Sequence, residues 1–148
     1  MNQHQLRVLV GERDHGVCAR CQRDVAKLRA DYWDEVSEAH ARHAQALAEG
    51  ADPYGEERRL TSTLMDLREM VMRLGFTRKD LDRAQLWDAH HILALEDGGT
   101  NDLRNAETVC LPCHRRLTRE QNAIRRRKPS KRLAVVGEDR NGKVVVRQ

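Results

Sequence analysis

The chain has 148 residues, enough for one domain with an elaboration. Aromatic residues make up 3% and charged residues 34%, so the core is expected to be thin and to need a staple, for which bound metal is the obvious material. No apolar run approaches the ~20 residues that span a bilayer, and the chain is polar from Asn2 to Gln5; the expectation is a soluble, cytoplasmic protein with neither a membrane partner nor a secretory signal.

Residues 1–24 hold a first metal knuckle. Gln5 to Val10 is expected to form a short helix or strand leading to the turn Asp14-His15-Gly16. Cys18 and Cys21 follow at Cys-x-x-Cys spacing, and the same spacing returns at Cys110 and Cys113, so no cysteine is left over. Four thiolates at these positions suit a tetrahedral, structural Zn2+. The wide gap between knuckles is permissible, because loop closure costs only a logarithm of length. A redox dithiol and two disulfides are the competing readings, and matched knuckles in a cytosolic chain favour zinc. A closed four-thiolate site needs no fifth ligand, so His15 is expected to be an exposed loop residue.

Residues 25–76 read as an inserted helical hairpin. Val25, Leu28, Tyr32, Val36, Ala39, His43 and Leu47 fall at steps of three or four, and Glu49 to Gly55 interrupts them. Leu60, Leu64, Leu67, Val71 and Leu74 continue the spacing until Gly75. Two such helices should pack antiparallel, returning the chain towards the first knuckle. The apolar stripe is read as their internal seam; its use in a homodimer is the competing reading. His40 and His43 lack a carboxylate or cysteine partner at ligand spacing and are read as surface or seam residues. Thr77 to Asp80 has the form of a capping box.

The chemistry is concentrated in residues 87–118, WDAHHILALEDGGTNDLRNAETVCLPCHRRLT. Leu86 to Ile92 should form a strand, from which the adjacent His90 and His91 leave on opposite faces. Their roles should therefore differ, one binding metal and the other acting as general base, to which an imidazole with an ordinary pKa of about 6.5 is suited. Asp97, Gly98 and Gly99 supply a turn, Glu107 to Val109 a returning strand, and Leu111-Pro112 a helix start that places His114 in the first helical turn.

Beyond this stretch the charge changes character. Residues 115–132 carry nine Lys or Arg against one acidic residue, although the whole chain is only +4. Arg115, Arg116, Arg119, Arg125, Arg126, Arg127 and Lys128, with Lys131 and Arg132, could neutralise phosphates, so DNA-binding is expected here. The scarcity of aromatics argues against extensive base stacking. In residues 129–148, Pro129 ends the helix, and Leu133 to Val136 with Val144 to Val146, around Asn141-Gly142, suggests a β-hairpin.

His90-His91, Gly98-Gly99, Asn105 and Cys110-Leu111-Pro112-Cys113-His114 together resemble the HNH endonucleases, the ββα-metal or His-Me finger class. The resemblance implies that His91 activates water, that His90 and His114 hold a catalytic divalent ion, and that Asn105 orients the hairpin or the base. Many members have aspartate at the position of His90. Two imidazoles admit Zn2+, Ni2+, Co2+ or Mn2+ more readily than an all-oxygen site selecting Mg2+ would. The expected architecture is α+β and mostly helical. A ββα-metal core over residues 86–128 is stapled by the zinc site, with the helical hairpin inserted and the β-hairpin at the C-terminus, in a single nuclease domain. The expected activity is hydrolysis of double-stranded DNA in a bacterial or phage-infected cell. The alternatives are a non-catalytic zinc-dependent nucleic-acid-binding module and a subunit of a larger nuclease, phage or restriction assembly.

Overall fold

Each of the first three helices begins on a side chain that satisfies its own free amides. The computed structural model of the protein describes residues 2–127 and the backbone of 135–138 and 144–147. Helix α1 (Gln3–Asp14) starts at Asn2, whose Oδ1 accepts from the Gln5 amide at 2.8 Å while Gln5 Oε1 accepts from the Asn2 amide at 3.1 Å. It is longer than the Gln5 to Val10 run suggested, because this capping box extends it forwards and its polar last turn finds partners on the strands. Helix α2 (Val25–Ala48) is capped by Asp24 and α3 (Pro53–Arg73) by Asp52, with Pro53 in the first turn where its missing N–H costs nothing.

The chain then enters α4 (Arg78–Leu81), with Asp80 accepting from the Thr77 amide at 2.7 Å as the capping-box pattern anticipated. Strand β1 (Trp87–His91) follows, then two single 3-10 turns (Leu95–Asp97 and Leu103–Asn105), strand β2 (Ala106–Cys110) and helix α5 (Leu111–Arg127). β1 and β2 pair antiparallel, with His90 opposite Glu107 and His91 opposite Ala106. The chain divides into two compact units, Met1–Leu117 and Thr118–Gln148, the boundary falling within α5. The second contains β3 (Val135–Glu138) and β4 (Val144–Arg147), paired antiparallel. The first strand of this hairpin lies later than the Leu133 to Val136 run, and the intervening Asn-Gly turn falls outside the described residues.

The core of the first unit is the meeting place of α1, the base of the helical hairpin and the two-stranded sheet. Leu6 and Val10 of α1, Val25 and Tyr32 of α2, Val71 of α3, and Leu86, Val109 and Leu111 are buried together with Cys18, Cys110 and Cys113. Trp87 lies against Gly11 so closely that a Cβ there would stand 2.7 Å from the indole ring, so α1 approaches β1 through a position that only glycine can fill. α2 and α3 run antiparallel: at one end the Arg23 guanidinium donates to the Leu74 carbonyl at 3.5 Å, and at the other His43 Nε2 stands 3.8 Å from Glu57. The periodic residues Leu60, Leu64, Leu67, Val71 and Leu74 are the inward ones, while Met65, Met70 and Met72 are exposed. No helix among the described residues is long and apolar enough to cross a membrane.

The end of α1 also braces β2. The Arg13 guanidinium donates to the carbonyls of Leu103 and Ala106, each at 2.8 Å, and Asp14 accepts from the Thr108 amide at 2.9 Å. The hydrogen bond from Arg13 holds the Asp14 carboxyl below its ordinary range, with burial opposing and the Thr108 amide assisting. A lowered folded pKa gives stability that is complete above the unfolded value of about 4 and is lost as pH falls through the folded one. Asp14→Ala, which leaves the Thr108 amide without its acceptor, should cost about 1–3 kcal/mol at pH 7. Denaturant titrations repeated from pH 6 to pH 2.5 should show that penalty shrinking as the wild-type carboxylate protonates.

Candidate active site and metal centre

The two Cys-x-x-Cys knuckles come together although most of the chain lies between them. The four thiols of Cys18, Cys21, Cys110 and Cys113 all lie within 4.8 Å of one another, and Cys21 and Cys110 Sγ are 3.8 Å apart. A tetrahedron of ~2.3 Å metal–sulfur bonds has edges of about 3.8 Å, so the cluster has the dimensions of a closed site. Among the described residues it is the sole group of three or more candidate ligands that converge in this way.

The first knuckle is a tight turn, with the Cys18 amide donating to Arg23 O at 2.9 Å and Gln22 N to Cys18 O at 2.8 Å, and with Gln22 at a positive φ of 58°. The Ala19 amide donates to Thr108 O at 2.8 Å, which fastens this turn to β2. The second knuckle is the junction of β2 and α5 itself. Burial opposes ionisation of Cys18, yet hydrogen bonds from the backbone of Cys110, Cys21 and Arg20 bring its thiol down to about 7. Burial pushes the thiols of Cys110 and Cys113 up.

A second centre lies between the sheet and the start of α5. His90, buried on β1, and His114, half-buried in the first turn of α5, bring their rings edge to face with centroids 5.4 Å apart. Burial, and then the neighbouring His114, lower the pKa of His90, so this imidazole stays neutral and able to ligate. Asp88, two residues before His90, is buried and stands 3.4 Å from His114 Nδ1. Burial opposes its charge, but His114, Arg83 and Arg7 hold its carboxyl below the usual range, the two guanidinium contacts being 3.0 Å and 2.8 Å. A carboxylate beside Nδ1 makes Nε2 the nitrogen of His114 that could ligate an ion. Two imidazoles so arranged could hold a divalent transition ion.

His91 stands outside that pair. Strand alternation turns it away from His90, and its Nε2 is hydrogen-bonded to Asn101 Oδ1 at 2.9 Å. Asn105 closes the loop that follows: its Oδ1 accepts from the Leu93 amide, and its Nδ2 donates to the carbonyls of Leu93 and Thr100, each at 2.8 Å. Sequence order alone did not reveal Asp88 or Asn101. Asp88 carried a usable signal, since in a strand it shares a face with His90; Asn101 sits in a turn whose path no periodicity describes.

Gly99 is what lets this loop close. A Cβ there would fall 2.0 Å from Leu93 O and 2.8 Å from Asn105 Nδ2. Gly99→Ala must therefore break the Asn105 clasp, costing about 1–3 kcal/mol of stability by overpacking. Gly98→Ala has open space and only a left-handed backbone to tolerate, at φ 94°, and should cost nearer 1 kcal/mol. Thermal midpoints of the two variants, measured side by side, give the ordering.

The basic residues are not equivalent. The Arg115 guanidinium donates to Asp80 at 2.9 Å and to Gly75 O at 2.8 Å, so it ties α5 to the end of the helical hairpin. One Arg116 nitrogen stands 3.8 Å from Cys113 Sγ, beside the thiol cluster. In the second unit Arg119, Arg126 and Arg127 are exposed and Arg125 is half-buried, while Lys128 lies outside the described residues.

Strand, clasped loop, strand and helix, with an imidazole pair between sheet and helix and four thiols at the strand–helix junction, define a small α+β, HNH-type fold. Residues 77–120 match the family model described as HNH endonuclease, so this stretch, about a third of the chain, is similar to a nuclease domain. No curated protein and no solved structure gives a significant match to the chain.

Proposed function

We propose that the protein is a metal-dependent endonuclease that hydrolyses DNA phosphodiester bonds, nicking one strand per site. The observation that carries this reading is the division of labour among three imidazoles in the matched domain. His90 and His114 face each other across strand and helix, while His91 is held apart by Asn101.

His91 takes the proton from the attacking water. An amide oxygen only accepts, so the bond to Asn101 leaves the hydrogen on Nε2 and the lone pair on Nδ1, the nitrogen that receives the proton. The water oxygen bonds to phosphorus as the bond to the 3′ oxygen breaks and that oxygen takes a proton from a solvent water, leaving the 5′-phosphate and 3′-hydroxyl ends that the family resemblance implies. His90 and His114 would hold a divalent ion, which when bound supplies positive charge to the phosphate and the leaving oxygen. Asp88 keeps His114 in the ligating tautomer, and Asn105 keeps the hairpin in shape. The four cysteines would hold a structural Zn2+ that takes no part in the reaction. The basic residues that follow Arg115, which is itself engaged by Asp80, contribute phosphate contacts, which position the backbone without reading bases.

Supercoiled plasmid incubated with Mg2+, Mn2+, Ni2+ or Zn2+ tests the reading. Nicked circles should accumulate before linear product, binding should weaken steeply with salt, and a matched RNA should be the poorer substrate. Binding with no cleavage under any ion would overturn the enzymatic reading in favour of a zinc-dependent binding module.

A further inference from the structure

Resting on the reading of His91 as general base, we infer that Asn101 is the positioning residue of that base, and that Asn105 acts on the reaction through Asn101. At 2.9 Å the contact is a full hydrogen bond, in which the half-buried His91 ring donates through Nε2–H to Oδ1 of the loop residue Asn101. Loop side chains restrain a ring only if the loop is itself restrained, and here it is. Asn105 Nδ2 donates to the carbonyl of Thr100, the residue before Asn101, at 2.8 Å. On the other side, Asp102 accepts from the Thr100 hydroxyl and from the amides of Arg104 and Asn105, the last two at 2.9 Å and 3.1 Å. Asn101 is thus flanked by two anchored residues and delivers its oxygen to one place.

The consequence is chemical as well as mechanical. A free imidazole exchanges between tautomers and rotates about χ2, and only one combination presents a bare Nδ1 to water. The Asn101 oxygen selects that combination, while the ion ligands His90 and His114 make no use of it. Asn105, which touches neither His91 nor the imidazole pair in any hydrogen bond seen here, gains through Thr100 and Asn101 a route to the base.

The test uses the full chain and its variants Asn101→Ala, Asn101→Asp, Asn105→Ala and the Asn101→Ala/Asn105→Ala double. The spectroscopic reading is the ¹⁵N signature of the His91 ring in protein whose cysteine site is zinc-loaded and to which no further metal has been added. Wild type and Asn101→Asp should show the single Nε2–H tautomer, whereas Asn101→Ala should show exchange between tautomers. In plasmid cleavage, Asn101→Ala should lose about 10- to 100-fold in kcat with KM and Co2+ affinity unchanged, as expected for a misplaced reacting group. Asn101→Asp, which keeps an acceptor in the same place, should recover most of that loss. The Asn101→Ala and Asn105→Ala losses should be markedly less than additive, because both act on one ring. An unaltered tautomer in Asn101→Ala, or fully additive losses, would overturn the inference. Wild-type cleavage by His91→Ala would instead sink the assignment of the base, so the two failures are distinguishable.

Discussion

Cys110→Ser should abolish the cooperative unfolding transition of the Met1–Leu117 unit and remove the ion that co-purifies with it. The reason lies in where the thiols sit. Cys18, Cys110 and Cys113 are members of the single buried cluster of this unit, and Cys110 is fully buried. Aromatic residues, which contribute the largest buried areas in most cores, make up only 3% of the chain. Structural zinc in small domains carries an apparent binding free energy of about 10–16 kcal/mol, comparable to the whole stability of a domain of this size. The ion would therefore fold the N-terminal segment onto β2 rather than decorate a fold already made. Elemental analysis should give one zinc per chain in wild type, and far-ultraviolet dichroism on heating should show a sharp transition that chelator abolishes.

The same site should lose its ion in acid. Burial holds the Cys110 and Cys113 thiols above their ordinary pKa, so protons compete with the ion more strongly there than at a free thiol. Metal binding must expel those protons, and affinity falls as pH falls. Zinc released to a chromogenic chelator, followed from pH 8 to pH 5, should rise steadily, and the thermal midpoint should fall with it. Cys21, which is exposed, is the position at which serine should be tolerated best.

His91→Ala should reduce kcat for plasmid nicking about 10²- to 10⁴-fold, the usual contribution of a positioned general base, which corresponds to about 3–5 kcal/mol of transition-state stabilisation. Its fold should be unchanged, since the ring is half-buried and its hydrogen bond in the structure is to one loop side chain. Zinc content and duplex affinity measured at fixed salt should match wild type. His114→Ala should differ in kind. It removes one of the two proposed ligands and leaves Asp88 without its imidazole partner, so affinity for added Mn2+ or Co2+ should fall along with turnover. If calorimetry shows His91→Ala losing the added ion and His114→Ala keeping it, the two roles have been exchanged.

Much of this molecule is dictated by local sequence. The residues at steps of three and four give α2 and α3, the Thr77–Asp80 box gives α4, and the alternation around Trp87 gives β1 with His90 and His91 on opposite faces. Cysteine spacing alone names the ligands of the thiol cluster, because two residues is the separation a metal knuckle requires whatever surrounds it. These features are readable because each depends on residues within one turn or one strand of each other.

What only the tertiary structure decided is which distant groups hold the imidazoles in place. Asp88 acquires its meaning from Arg7 on the first helix, Arg83 after the fourth and His114 on the fifth, partners that no spacing connects. Asn101 matters because Gly99 and Asn105 fold the loop back on Leu93, and Arg115 is drawn to Asp80 and away from the undifferentiated basic run to which composition had assigned it. Charge and polarity are visible one residue at a time, but a hydrogen bond depends on position and direction, and those arise only when the packed elements have fixed where each side chain ends.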